Sequence, residues 1–283
     1  MLVVPDVHGR LFWTEEVYGV LENTDDVKVV FLGDYLDPYD EDCVDKEYCI
    51  KVLDDIIELK KKYRDRVILI IGNHDYHYFN GQIGGVRKDL VRKDDIRSRF
   101  VDNMDLFEYY HIETVGGVKY LFSHAGFLKC WLWGERRFLG IDVEGISNDE
   151  FYELIDIDFI SKMNFKDIFT DKQGRMSIGS RGPSRGGYDI PSFLWADVSD
   201  HLGDNMDIPG CVQVYAHTRR DYPIHIGNEY CLDCAECFYI FESGLKRFDG
   251  KRFVDIPDSK NSLQQKRKDV FDKYKRYISA LIV

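Results

Sequence analysis

The sequence predicts an α/β fold of mixed sheets flanked by helices, and three observations carry that prediction. Five short β-branched and aromatic runs each stop at polar residues able to bind a metal: "VVPDVHG", "VKVVFLGD", "RVILIIGNHD", "KYLFSHAG" and "CVQVYAHT". Between the second and third lies "DKEYCIKVLDDIIELKKKY", whose apolar residues recur at helical spacing, so the order is strand, helix, strand. With 44% hydrophobic and 31% charged residues, the 283-residue chain has the composition of a globular protein.

Taken in order, the first run places Asp6 and His8 two residues apart at a strand tip, where an extended chain turns both to one side. The second ends at Asp34 and Asp37. In the helix that follows, Ile50, Leu53 and Ile57 form one apolar row and Val52, Ile56 and Leu59 the next, and lysines gather at the C-terminal end, where they complement the helix dipole. The third run ends at Asn73 and His74, and residues 80–105 read as a smaller charged helical insertion. The fourth and fifth runs end at His124 and His217. The widest gap separates them, so a cap is expected within 127–200, built from an amphipathic helix over "NDEFYELIDIDFISKMNFKDIF" and the Gly-, Arg- and Pro-containing loop "GSRGPSRGGYDIPSFLWAD". Residues 229–256 read as antiparallel strands, "EYCLDCA", "CFYIFES" and "KRFVDI", with turns at "SGL" and "DGK". A last helix is expected from Ser262, burying Phe271, Tyr274, Ile278 and Leu281. No repeat or low-complexity linker divides the chain, so residues 1–283 are expected to form a single domain with 127–200 inserted in it.

The net charge of −12 argues against a broad grip on long nucleic acid. No run approaches the length of a membrane span, and Met1 leads directly into the first strand, leaving no room for a signal peptide. Seven cysteines cannot all pair within one chain, which fits a reducing, cytoplasmic setting. Cys231, Cys234 and Cys237 have metal-site spacing but no obvious fourth ligand, so they are expected to be thiols. Trp131, Trp133 and Trp195 could stack on an aromatic ligand, although large aromatics more often fill cores.

The strand tips together offer Asp6 and His8, Asp34 and Asp37, Asn73 and His74, His124, and His217. Each taken alone is ordinary turn or core chemistry. Five in succession, with Gly9, Gly33, Gly72 and Gly126 beside them to permit close approach, point to a common centre. Carboxylate, imidazole and carboxamide ligands suit hard-to-borderline divalent metals, whose charge would offset part of the acidic excess.

In that order, "DVHG", "GDYLD", "GNHD", "SHAG" and "AHT" resemble the motifs of the calcineurin-like metallophosphoesterases. The single histidine of "AHT" is most similar to the phosphoprotein phosphatase branch, and "YCLDCA" stands where that branch carries an Ile-Asp-Thr-Gly strand. The resemblance implies a β-sandwich of mixed sheets and a dinuclear centre. One metal would take Asp6, His8 and Asp34; the other would share Asp34 and add Asn73, His124 and His217. The metals would be two divalent ions, manganese foremost, with iron, zinc, magnesium or nickel as alternatives, holding a bridging hydroxide for in-line attack on phosphorus. His74 would be the general acid with Asp37 as its carboxylate partner, Asp75 being the nearer acid in sequence. Pro38 replaces the arginine with which that branch grips phosphate, leaving Arg181, Arg185 and Arg10 as candidates. Expected substrates are a phosphorylated small molecule, a nucleotide or a phosphoprotein. The alternative is a phosphodiesterase or dinucleoside polyphosphate hydrolase; an inactive scaffold fits poorly with the presence of Asp34, Asn73 and His74.

Overall fold

The protein is described by a computed structural model over residues 1–80, 87–136, 145–147, 150, 153–163, 177–202 and 207–259. The first strand β1 (Leu2–Val4) leads to α1 (Thr14–Asn23), β2 (Val29–Phe31), α2 (Lys46–Tyr63) and β3 (Val67–Ile70). Every residue of these three strands is buried, as expected for parallel strands covered on both faces. Asp45 caps α2 by accepting the backbone N–H groups of Glu47 and Tyr48 at 2.7 and 3.4 Å. The chain continues through α3 (Asn73–Phe79), α4 (Lys93–Asp102), β4 (Phe107–Glu108), β5 (Tyr110–Val115), β6 (Val118–Ser123), α5 (Lys129–Gly134) and α6 (Ile157–Ser161). It closes with β7 (Val212–Tyr215), β8 (Ile224–Ile226), β9 (Glu229–Cys231), β10 (Phe238–Phe241), β11 (Gly244–Phe248) and β12 (Phe253–Asp255).

Two mixed sheets result. The first runs β12-β11-β10-β1-β2-β3-β4, and the second runs β5-β6-β7-β9-β8. Strands β1 to β4 are parallel, while β10 pairs antiparallel with β1 and extends into a β10-β11-β12 meander. In the second sheet β6, β7 and β9 are parallel, with antiparallel β5 and β8 at the edges.

Strict alternation in the first sheet builds two cores. Leu2, Val4, Val29, Phe31, Val67 and Leu69 join Val17 and Leu21 of α1 and Val52, Leu53 and Ile56 of α2. Val3, Val30, Leu32, Ile68 and Ile70 turn the other way, onto Tyr120, Phe122 and Val214 of the second sheet. The fold is therefore a β-sandwich with helices on its outer face, as expected.

Three expectations need correction. "EYCLDCA" forms a strand of the second sheet, parallel to β7, rather than the first member of the antiparallel set. The set instead gains β11, which starts within the expected turn "SGL". The expected long helix near 148–169 is represented among the described residues by α6 and the short turn before it, and the expected C-terminal helix lies outside the described residues.

Candidate metal centre

Because β1, β2 and β3 are parallel, and β6 and β7 run together, their C-terminal ends open along one edge of the sandwich. Asp6 and His8 follow β1, Asp34 follows β2, Asn73 opens α3 after β3, and His124 and His217 follow β6 and β7. The chain leaves three of these tips through left-handed residues: φ is +47° at His8, +50° at Asp34 and +66° at His217, with +59° at Asp37. Such conformations cost about 1–3 kcal/mol each and persist where the surroundings enforce them. Gly33, at φ +101°, lies so close to the next tip that a Cβ would fall 2.5 Å from the Gly72 nitrogen. A Cβ on Gly72 would in turn run into Oδ1 of Asp34.

Two trios of ligand atoms come together, Asp6–His8–Asp34 and Asp34–His124–His217, each with its atoms within 4.8 Å of one another. Asp34 belongs to both. Nδ1 of His8 donates to the Leu36 carbonyl at 2.6 Å, which leaves Nε2 a lone pair 3.6 Å from Oδ2 of Asp34 and 3.8 Å from Oδ2 of Asp6. Nδ1 of His124 likewise donates to the Leu32 carbonyl at 2.8 Å. Its Nε2 lone pair then faces Oδ1 of Asn73 at 2.9 Å, Nδ1 of His217 at 3.1 Å and Oδ2 of Asp34 at 3.5 Å. Such a convergence of lone pairs and carboxylate oxygens suits a cation between them. Oδ2 of Asp6 and Nε2 of His217 are buried with no hydrogen-bond partner, so the donor set fits divalent metal ions.

The electrostatics agree. Burial drives His8 down to about 3 against the pull of Asp34, and it lowers His124 and His217 as well, so these imidazoles are neutral, as ligands must be. Burial, together with Asp233 and Asp34, raises the Asp6 carboxyl well above its usual range. Asp34 titrates together with its neighbours: burial pushes its carboxyl upward, while attraction to any charge on His124, His74 or His8 and the His74 backbone N–H at 2.9 Å hold it low. Bound cations would reverse the penalty that the crowded acids impose on one another.

Beside Asn73, Nδ1 of His74 lies 2.8 Å from Oδ2 of Asp37, whose Oδ1 accepts the Tyr78 hydroxyl at 2.7 Å. Asp75, the alternative partner by sequence proximity, turns away. Its carboxylate accepts the backbone N–H groups of Asp34, Tyr35 and Gly72 at 2.8, 3.0 and 2.9 Å.

The three expected arginines occupy different places. Arg10 is engaged with the carbonyls of Asp6 and Val7 at 2.6 and 3.1 Å. Arg185 donates to Oγ1 of Thr218 at 2.9 Å and to the His217 carbonyl at 3.2 Å, and pairs with Asp197 at 3.1 Å. Arg181 lies over the Trp195 ring at 5.1 Å. Trp195 also meets His217 edge-on at 5.8 Å, whereas Trp131 is core, packed on Phe193 at 5.3 Å.

Other residues at the site were not singled out by sequence. Asp233 is buried beside Asp6; burial lifts its carboxyl to about 6, with Arg10 pulling it down and Asp34 pushing it up. Its signal was its place in "CLDC", where the cysteines drew attention instead; among the described residues no metal-competent cluster contains a cysteine, and all seven cysteines are free thiols. Arg87, seated over the Tyr39 ring, also reaches the His74–Asp37 pair, and no local pattern marked either residue.

A family model described as calcineurin-like phosphoesterase matches residues 1–189, and the chain belongs to that family. It is a metal-dependent phosphoester hydrolase. Among solved structures, a mutant cold-active protein tyrosine phosphatase aligns with TM-score 0.52 and 14% identity, over 90% of this chain and 80% of that one. A cold-active protein-tyrosine phosphatase of a psychrophilic Shewanella aligns at 0.49 and 14%, over 90% and 80%. A protein serine/threonine phosphatase from Saccharomyces cerevisiae aligns at 0.47 and 14%, over 91% and 81%. The first of these likenesses shows that the fold is shared. Among the described residues, no helix is long and apolar enough to cross a membrane.

Proposed function

We propose that the protein is a phosphatase of phosphate monoesters with a dinuclear centre. The observation that carries this reading is the pair of ligand trios sharing Asp34, placed beside a His74–Asp37 pair. Asp6, His8 and Asp34 would hold one ion; Asp34, Asn73, His124 and His217 would hold the other. Divalent ions there, manganese foremost, supply a water acidic enough to attack phosphorus at neutral pH and positive charge for the phosphoryl oxygens. The chain's own part is to hold its ligands rigidly and to move a proton. Asp37 fixes the His74 ring through Nδ1, which leaves Nε2 to deliver a proton to the leaving oxygen. The single-histidine "AHT" motif favours the phosphoprotein phosphatase branch, with a phosphorylated protein, nucleotide or small molecule as substrate.

Residues 127–200 belong, on this reading, to one domain of 1–283 and shape its specificity. Supporting this, Phe127 and Phe193 stack at 4.8 Å within the main core, and the Ala125 N–H donates to the Phe193 carbonyl at 2.8 Å. Seven free thiols favour a reducing, cytoplasmic setting.

The test is hydrolysis of p-nitrophenyl phosphate against bis-p-nitrophenyl phosphate, with added Mn2+ and a chelator control. Chelator-sensitive turnover of the monoester supports the proposal, preference for the diester replaces it with the phosphodiesterase reading, and absence of both turnover and metal binding overturns it.

A further inference from the structure

Pro38 leaves the site without an arginine at the position where the resembled branch carries one, and Arg10 and Arg185 are occupied with backbone and side-chain partners. Arg87, a half-buried residue from a different segment, meets the reaction centre instead. Its Nη2 donates to Nε2 of His74 at 3.0 Å, and its Nη1 donates to the Asp37 carbonyl at 2.9 Å. The guanidinium carbon stands 3.6 Å above the Tyr39 ring, and Tyr39 meets the His8 ring edge-on at 5.1 Å. Nζ of Lys46 donates to the Arg87 carbonyl at 2.6 Å, so the backbone is anchored as well. Backbone, ring platform and two hydrogen bonds fix one guanidinium beside the atom that faces the leaving oxygen.

We infer that Arg87 is the phosphate-binding arginine of this site. The inference rests on the phosphatase reading and adds to it the group that holds the phosphoryl oxygens. A planar guanidinium recognises two oxygens at once, which an ammonium on a flexible stem does not. A leaving-group oxygen within reach of His74 Nε2 brings its phosphoryl group within reach of Arg87 Nη2. On substrate binding, Nη2 exchanges Nε2 of His74 for a phosphoryl oxygen, and Nε2, no longer an acceptor for Arg87, takes up a proton from solvent and passes it to the leaving oxygen. The three arginines singled out by sequence would then frame the site without gripping phosphate.

The test compares the Mn2+-loaded wild type with Arg87→Gln and Arg87→Lys, measuring KM and kcat for p-nitrophenyl phosphate and the Kd for inorganic phosphate by calorimetry. Arg87→Gln is expected to weaken phosphate binding and raise KM by about 10–100-fold, the range expected for a lost charge-assisted contact, with a smaller fall in kcat. Arg87→Lys is expected to recover part of the affinity, and Tyr39→Leu, which removes the platform, to fall between wild type and Arg87→Gln. Thermal melts of each variant confirm that it is folded. Phosphate affinity and KM unchanged in both Arg87 variants would overturn the assignment while leaving the phosphatase reading intact. A wild type that binds Mn2+ but neither binds nor releases phosphate would overturn the phosphatase reading itself, and Arg87 with it.

Discussion

Asp75 holds the backbone of Asp34 in place, accepting its N–H at 2.8 Å while also accepting those of Tyr35 and Gly72. One buried carboxylate thus ties the shared ligand loop to the loop that carries Asn73. It touches no ligand atom in either trio, yet it sets where the Asp34 carboxylate points. Asp75→Asn, which substitutes an amide donor for one acceptor, is expected to weaken metal binding about 10–100-fold, as removal of an outer-shell partner typically does. Titration of the metal-free protein with Mn2+ measures this; wild-type affinity would show the tie to be dispensable.

Asp34 contributes to both trios, so in the proposed dinuclear centre its replacement would act on both ions together. Asp34→Asn is expected to abolish turnover and reduce metal content at both sites. Metal analysis that found one full equivalent retained would argue that Asp34 is not shared.

His74 is next to a ligand but outside both trios. His74→Asn is therefore expected to retain metal while lowering kcat by about 10²–10⁴-fold, the usual contribution of a positioned proton donor. The loss should be greatest for esters with poor leaving groups, which need the proton most. Equal losses across a series of leaving groups would remove His74 from the acid role.

Stability should depend on pH through a buried pair away from the ligands. Nδ1 of His201 lies 2.7 Å from Oε2 of Glu229, an ion pair when the ring is protonated, and Nε2 donates to the Ala125 carbonyl at 3.0 Å. Burial opposes that charge, but Glu229 and the Ala125 carbonyl outweigh it and raise the pKa of His201. The stabilisation is complete below the unfolded value of about 6.5 and is lost as pH rises through the higher folded value. Urea unfolding across this range should show that decline in the wild type and its absence in Glu229→Gln. The variant is expected to be less stable by about 3–5 kcal/mol at pH 6, as for a broken buried ion pair.

Metal removal should lower the melting temperature as well as activity. Ions at about a hundredfold excess over Kd add about 2.7 kcal/mol per site, and the uncompensated acids lose that support on chelation. Identical melting curves with and without chelator would show that the ligand cluster holds no ion in the native protein.

Asp6, His8, Asp34, Asn73, His124 and His217 were legible because each stands just past an apolar run, and parallel strands carry such tips to a common edge. The helix α2 was legible from its apolar rows and its lysine-rich end. Period-two patterning, however, reports burial without naming the partner strand, so β9 was assigned to the wrong set, and the glycine that opens β11 read as a turn. Arg87 was hidden for a related reason: its chemistry is set by Tyr39, Asp37 and His74, all distant in sequence. The His201–Glu229 pair shared that difficulty, since the two residues lie 28 positions apart and Glu229 read only as the start of a strand.

The ligands are divided between the two sheets, Asp6, His8, Asp34 and Asn73 on one and His124 and His217 on the other. During synthesis the Asp6–His8–Asp34 trio emerges complete before either later histidine exists. An ion captured then would rest on an unfinished wall until β6 and β7 arrive beside it. On the proposed reading, an ion held between Asp34 and the later histidines could, by contrast, bind only once both walls had met. It would act as a rivet driven through a finished joint, its loading reporting that assembly is complete.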